Sequence, residues 1–321
     1  MAKKKFYRYP VYLLARIMMT VLCLLPRNIL LRVAKVIGRM AFYLVARQRE
    51  KTLRNLKQAY GKEKNDKEIA RIGLRVFENI AQSSAEVWLL QKLNVAHLKE
   101  RIVNILEIEK FRKILDKKKG LIVISAHIGN WELLPAALAC FGFEGGVVAR
   151  RIYYEPYNRW IVKLRRSAGV ETFYRNESPR RLVKLLRGNK IVGIVPDQDI
   201  DSLKGIFVNF FGQLAYTTTA PAKLAIMSGA PLLPSFLIRE KDGKYRIVMK
   251  SLISVPQDLE KEEATVYMTK QWMKACEDVI LEFPEQWAWM HDRWKTKLED
   301  IENSSEEKLD LDNSKVLKRV S

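Results

Sequence analysis

The sequence predicts an α/β fold: a mostly parallel central sheet flanked by helices, preceded by an N-terminal hydrophobic and amphipathic helical membrane anchor. Three observations predict it. Short continuous apolar runs, Gly120–Ser125 and Ile191–Val195, have the length and character of buried strands. Segments with helical periodicity alternate with them, and that alternation favours a parallel sheet covered on both faces. Polar clusters, His127 and Asp197-Gln198-Asp199, follow directly where those runs end. In such sheets the site lies beyond the carboxyl ends of the strands.

The elements follow in order. Met1 to Arg8 is basic, with Lys3, Lys4, Lys5 and Arg8. Val11 to Leu25 is apolar except for Arg16, and Pro26 ends it. A charged start before an apolar stretch resembles a signal peptide, but no small-residue cleavage site follows. The run is shorter than the roughly 20 residues of a comfortable span. Basic residues on both sides of it conflict over orientation, and a hairpin or monotopic anchor resolves that better than a single span. Ile29 to Val45 has an apolar helical pattern with Arg32, Lys35 and Arg39 on one face, which suits an anionic interface. A core helix with a solvated basic edge is the other reading.

Helices are expected at 66–94, as one or two, and at 98–116. Gly120–Ser125 is the first strand, and a helix follows over 131–141. Next come a strand at 146–149, a helix at 156–168 and a strand at 171–174. The helix at 178–187 starts with Ser178-Pro179, a good capping pair. A strand at 191–195, a helix at 218–228, strands at 232–238 and 245–249 and a long helix at 261–282 complete the pattern. This divides the chain into an anchor and basic amphipathic helix (1–47), a catalytic domain (48–297) and a polar tail (298–321).

Composition restricts the partners. The chain has 57 Lys+Arg against 36 Asp+Glu, a net charge of +21. Nucleic acid, an anionic membrane surface, or an acidic protein or substrate would suit that charge. No helix-turn-helix, zinc finger or RNA-recognition signature is present. Cys23, Cys140 and Cys276 are far apart and offer neither a disulfide framework nor zinc spacing. No metal or cofactor site is expected.

The segment with the most chemistry is Ser125-Ala126-His127-Ile128-Gly129-Asn130-Trp131-Glu132. On one continuous helix, His127 and Glu132 would lie about 140° apart, since each residue turns about 100°. A turn at Gly129-Asn130 instead lets Glu132, in the first helical turn, fold back to the imidazole. That pair would make a general base: the carboxylate orients the ring and stabilises its protonated form. Ser125 has no nucleophile-elbow context. The pattern therefore favours a base that activates the substrate's own hydroxyl. A histidine satisfied within the core is the alternative.

His127-Ile128-Gly129-Asn130-Trp131-Glu132 resembles the His-(four residues)-Asp/Glu motif of the glycerolipid acyltransferase superfamily. More narrowly, it resembles that of the bacterial lipid A biosynthesis (late, or secondary) acyltransferases. Val147–Arg151 is similar to their arginine block, Gly193–Asp199 to their Pro-Asp-Gln block, Val208–Gly212 to their Phe-Phe-Gly segment and Pro284–Lys295 to their C-terminal signature. Two small departures stand out: Ile128 where an aromatic is common, and Asp292 where a basic residue often sits.

The resemblance implies an enzyme of the bacterial inner membrane, with its catalytic domain on the cytoplasmic face. It would move a fatty acyl group from acyl carrier protein to a hydroxyl of a lipid A precursor. Acyl carrier protein, the lipid A precursor and anionic membrane lipid are then the partners, with no nucleic acid and no cofactor. The roles implied are His127 as base and Glu132 as its orienting carboxylate. Arg150 and Arg151 would stabilise an oxyanion or hold a phosphate. Asp197 and Asp199 would hold Arg150 or sugar hydroxyls, Gln198 between them would belong to the same substrate-binding set, and Asn130, counted with that set, would fix the turn. A lysophospholipid or another glycolipid is the alternative acceptor. A basic, non-enzymatic membrane or nucleic-acid binding protein is the distant alternative.

Overall fold

The structure is a computed structural model that describes residues 8–300. The basic start at Lys3–Lys5 and most of the polar tail lie outside these residues.

Two helices lead the chain: α1 (Arg8–Leu22) and α2 (Arg27–Leu44), separated at Pro26. No helix among the described residues is long and apolar enough to cross a membrane. Next come α3 (Ala46–Tyr60) and α4 (Asp66–Val87). A capping box between Asn65 and Glu68 starts α4. α2 lies tightly on α4: a Cβ at Gly38 would sit 2.5 Å from the Phe77 carbonyl oxygen. The single helix expected at 98–116 is two, α5 (Val95–Arg101) and α6 (Ile108–Leu115). Ile102 leaves the helix and bridges to Tyr245, which breaks it there.

The α/β core follows as β1 (Leu121–Ile124), α7 (Leu133–Cys140), β2 (Gly145–Ala149), α8 (Glu155–Ser167), β3 (Glu171–Tyr174), α9 (Pro179–Arg187) and β4 (Ile191–Ile194). A hairpin, β5 (Gly205–Phe210) and β6 (Gln213–Thr218), then departs from the expected pattern. α10 (Ala220–Ser228), β7 (Leu232–Arg239), β8 (Tyr245–Met249) and α11 (Lys261–Glu282) complete it.

The sheet has the order β3-β2-β4-β1-β7-β8. All neighbours are parallel except β7 and β8. Residues of β1 alternate between two cores. Ile122 and Ile124 face Met268, Trp272 and Val279 of α11. Leu121 and Val123 join the core that holds α7 and Phe111 of α6. Both faces are thus covered, and the central strands are apolar throughout for that reason. The mainly parallel sheet expected from the sequence is present.

Candidate functional site

The site forms where β1 and β4 end. The two strands are parallel neighbours with Ile124 opposite Ile194. His127 and Asp197 each lie three residues beyond those partners, so the topology sets them side by side. The His127 ring Nδ1 is 2.7 Å from Asp197 Oδ1. Asp197 Oδ2 accepts from the His127 backbone N–H at 2.9 Å and from the Trp287 indole N–H at 2.7 Å. One fully buried carboxylate therefore fixes both the ring and the backbone of His127.

The electrostatics agree with the geometry. Burial alone would push the Asp197 carboxyl up, but the His127 charge and three hydrogen bonds win and hold it well below the usual carboxylate range. Burial alone would lower His127; the charge and hydrogen bond of Asp197, helped by the charge of Glu132, raise it instead. With Nδ1 donating to Asp197, Nε2 is the atom left to accept a proton.

Glu132 takes a different place from the one expected. Its Oε2 accepts from Arg165 Nε at 2.8 Å and its Oε1 from Arg165 Nη2 at 2.5 Å. α7 begins only at Leu133, and the carboxylate at its N-terminal edge faces α8, which carries Arg165. Asp197, not Glu132, holds the His127 ring. Glu132 acts on it only through its charge.

The turn between them is built around Gly129, at φ +59°, where a Cβ would meet the Leu237 carbonyl oxygen at 2.1 Å. Asn130 is buried and does not face the cavity. Its Oδ1 accepts from the Leu133 N–H at 3.1 Å, and its Nδ2 donates to Glu86 at 3.1 Å and to the Tyr245 hydroxyl at 2.9 Å. Its side chain thus caps the turn before α7 and stands outside the cavity lining.

Gln198 reaches across the site. Its Nε2 lies 3.2 Å from His127 Nε2 and 2.9 Å from His291 Nε2. Burial and the neighbouring His127 push His291 down to about 4, so it stays neutral and accepts. Asp199 is turned to the C-terminal segment, where it takes the Thr296 N–H at 2.8 Å and hydroxyl at 2.7 Å. Neither aspartate holds Arg150. Arg150 lines the cavity rim, exposed. Arg151 lies over the Tyr174 ring and pairs with Glu155 at 3.2 Å.

His127, Glu132, Arg150, Gln198 and Asp199 line one open cavity of about 750 Å³. From the middle of its wall, Trp131 also borders a narrow apolar crevice of about 40 Å³ between α7 and the ends of β1, β2 and β4. Sequence reasoning missed Arg165, Trp287 and His291 as site residues. Arg165 sits in the last turn of α8, where a basic residue is unremarkable, and the other two come from a segment more than 150 residues downstream of His127. The equal offset of His127 and Asp197 from their strands was the one signal available for their pairing.

The chain is similar to a lipid A biosynthesis lauroyltransferase of Escherichia coli, 27% identical over 86% of this chain and 89% of that protein. It is similar to a phosphatidylinositol mannoside acyltransferase of Mycolicibacterium smegmatis, 26% identical over 78% of this chain and 81% of that protein. It is also similar to a lipid A biosynthesis palmitoleoyltransferase of Escherichia coli, 25% identical over 59% of this chain and 60% of that protein. The sequence model of the family described as "Bacterial lipid A biosynthesis acyltransferase" matches residues 1–296, and the chain belongs to that family of acyltransferases.

Proposed function

We propose that the protein transfers a fatty acyl group from acyl carrier protein to a hydroxyl of a lipid A precursor, with His127 as general base. The observation that carries the chemistry is the His127–Asp197 pair at the wall of the large cavity. Nε2 of His127 takes the proton of the acceptor hydroxyl as its oxygen attacks the thioester carbonyl carbon. The carbon–sulfur bond then breaks, and the protonated imidazole returns its proton to the leaving thiolate. Asp197 keeps Nδ1 protonated and stabilises the imidazolium that forms. Gln198 guards Nε2 until a hydroxyl replaces it. Glu132 and Arg165 line the same cavity. Arg150 supplies charge for an oxyanion or an acceptor phosphate, as the fork of a guanidinium suits both.

The setting is the cytoplasmic face of a bacterial inner membrane. Support comes from the exposed apolar side chains of α1 and α2 and from the net charge of +21, which attracts an acidic carrier, an anionic lipid and an anionic bilayer alike. A glycolipid such as a mannosylated inositol lipid is the second reading of the acceptor, favoured by the similarity to a mannoside acyltransferase.

The test is transfer from labelled acyl-carrier-protein thioester to a lipid A precursor by wild type, His127→Ala and Asp197→Asn. Wild-type transfer and a loss of at least about 100-fold in each variant are expected. Full activity in folded His127→Ala would overturn the mechanism. Wild-type transfer only to a mannosylated lipid would replace the acceptor.

A further inference from the structure

A second cavity, which the chemistry above does not use, lies between the N-terminal helix pair and the domain. Its volume is about 390 Å³, within the roughly 300–1,000 Å³ of ligand pockets. Met18 and Leu22 of α1 and Ile37 of α2 form one wall; Ala81 of α4, Trp88 just after it and Trp160 of α8 form the other. Its inner end is Trp131, Glu132 and Arg165, and the same three residues line the catalytic cavity. The two spaces therefore meet at the Glu132–Arg165 ion pair. At the other end, the helices that wall it carry bare apolar side chains on their outer surface, Leu14, Val21 and Val36 among them.

We propose that this cavity seats an acyl chain of the membrane-resident lipid acceptor, which enters sideways between α1–α2 and the domain. The inference rests on the acyl-transfer reading given above. Apolar walls suit the methylenes, and a polar inner end suits the oxygens where the chain joins its headgroup. Position decides between acceptor and donor. A donor chain delivered by a soluble protein reaches His127 through the open mouth of the main cavity, where Arg150, Arg175 and Lys223 stand. The second cavity instead opens along the helices with apolar outer faces, from which a lipid in a bilayer can slide without crossing water.

Trp88 and Trp160, with ring centroids 3.7 Å apart, are built-in reporters of an occupant. The protein is mixed with anionic phospholipid vesicles doped with a lipid A precursor whose acyl chain is dibrominated, and tryptophan fluorescence is read. Transfer to the same lipid is assayed in parallel. Quenching is expected in wild type and should fall in Trp88→Phe/Trp160→Phe. It should also fall in Ala81→Leu and in Ser84→Leu, which fill the space from α4. Ser84 is exposed and lines the cavity, so its variant guards against misfolding of the other. Both should raise KM for the acceptor about tenfold, the order set by an added group in an apolar pocket, with a smaller effect on kcat. Transfer without quenching overturns the cavity assignment. Quenching by a dibrominated acyl donor, and not by the lipid, also overturns it, by giving the cavity to the donor. Quenching without transfer supports the cavity and counts against the lipid A reading, and the absence of both removes both.

Discussion

At the scale of single residues, the proposed mechanism makes Asp197 the group that sets the working pH. His127 is active as a base only when unprotonated, and Asp197 raises its pKa. The acid limb of kcat/KM should therefore lie above the ordinary histidine value of about 6.5. Asp197→Asn removes the main raising charge, so the limb should move to lower pH while the plateau falls at least about 100-fold. A pH–rate profile checks this, and a limb that stays in place would assign the titration to another group. Glu132 tests differently. Glu132→Gln leaves Arg165 almost buried without its counter-charge, a loss of about 3 kcal/mol for a pair this enclosed. Adding Arg165→Met should restore most of that stability, because an apolar side chain needs no partner, without restoring activity. Thermal melts beside transfer rates separate the two effects. His127→Ala should lower both activity and melting, because the buried Asp197 carboxylate keeps only the backbone N–H at position 127 and the Trp287 indole N–H.

At the scale of elements, the catalytic turn depends on neighbours distant in sequence. The Gly129 carbonyl accepts from the Ser83 hydroxyl at 2.8 Å, and its N–H donates to the Gln286 carbonyl at 3.1 Å. The Leu237 carbonyl blocks any side chain at position 129. Gly129→Ala should thus cost at least about 2 kcal/mol through both positive φ and the clash, measurable by denaturant unfolding. A neutral result would mean that β7 yields more readily than its complete burial suggests. The same dependence explains what the sequence could show. Strand β1, helix α9 with its Ser178 cap and the helix α11 are local patterns, and each is legible from spacing alone. The β5–β6 hairpin was not: its turn, Phe211-Gly212, puts a phenylalanine at positive φ, which no composition rule favours. Tertiary contacts hold that residue, with its N–H donated to Glu277 of α11 and its ring against Tyr60 and Trp289. Likewise, spacing could bring Glu132 near His127 but could not reveal that Arg165, on a different helix, captures it first.

At the scale of the molecule, the membrane contact proposed for the N-terminal helices would draw on two forces of different magnitude. Leu14, Val21, Val36 and Leu44 are all more than half exposed. Each gains about 1.5–3 kcal/mol if fully buried in an apolar phase. The exposed basic residues of the same region, Arg32 and Arg47, add about 1 kcal/mol each at an anionic surface, and salt screens that share. Lys35 and Arg39 contribute less, because both already pair with Glu78. The apolar share should win. Sedimentation with vesicles should show binding to anionic lipid that weakens in high salt without vanishing, and weaker but real binding to zwitterionic lipid. Val36→Asp/Leu44→Asp should reduce binding more than Arg32→Gln/Arg47→Gln. Both pairs lie on the solvent side of α2 and the start of α3, away from the α4 contact at Gly38, so the fold should tolerate them. Binding that disappears entirely in salt, or that the charge variants weaken most, would make the helix pair an electrostatic contact at the headgroups and not an insertion into the acyl region.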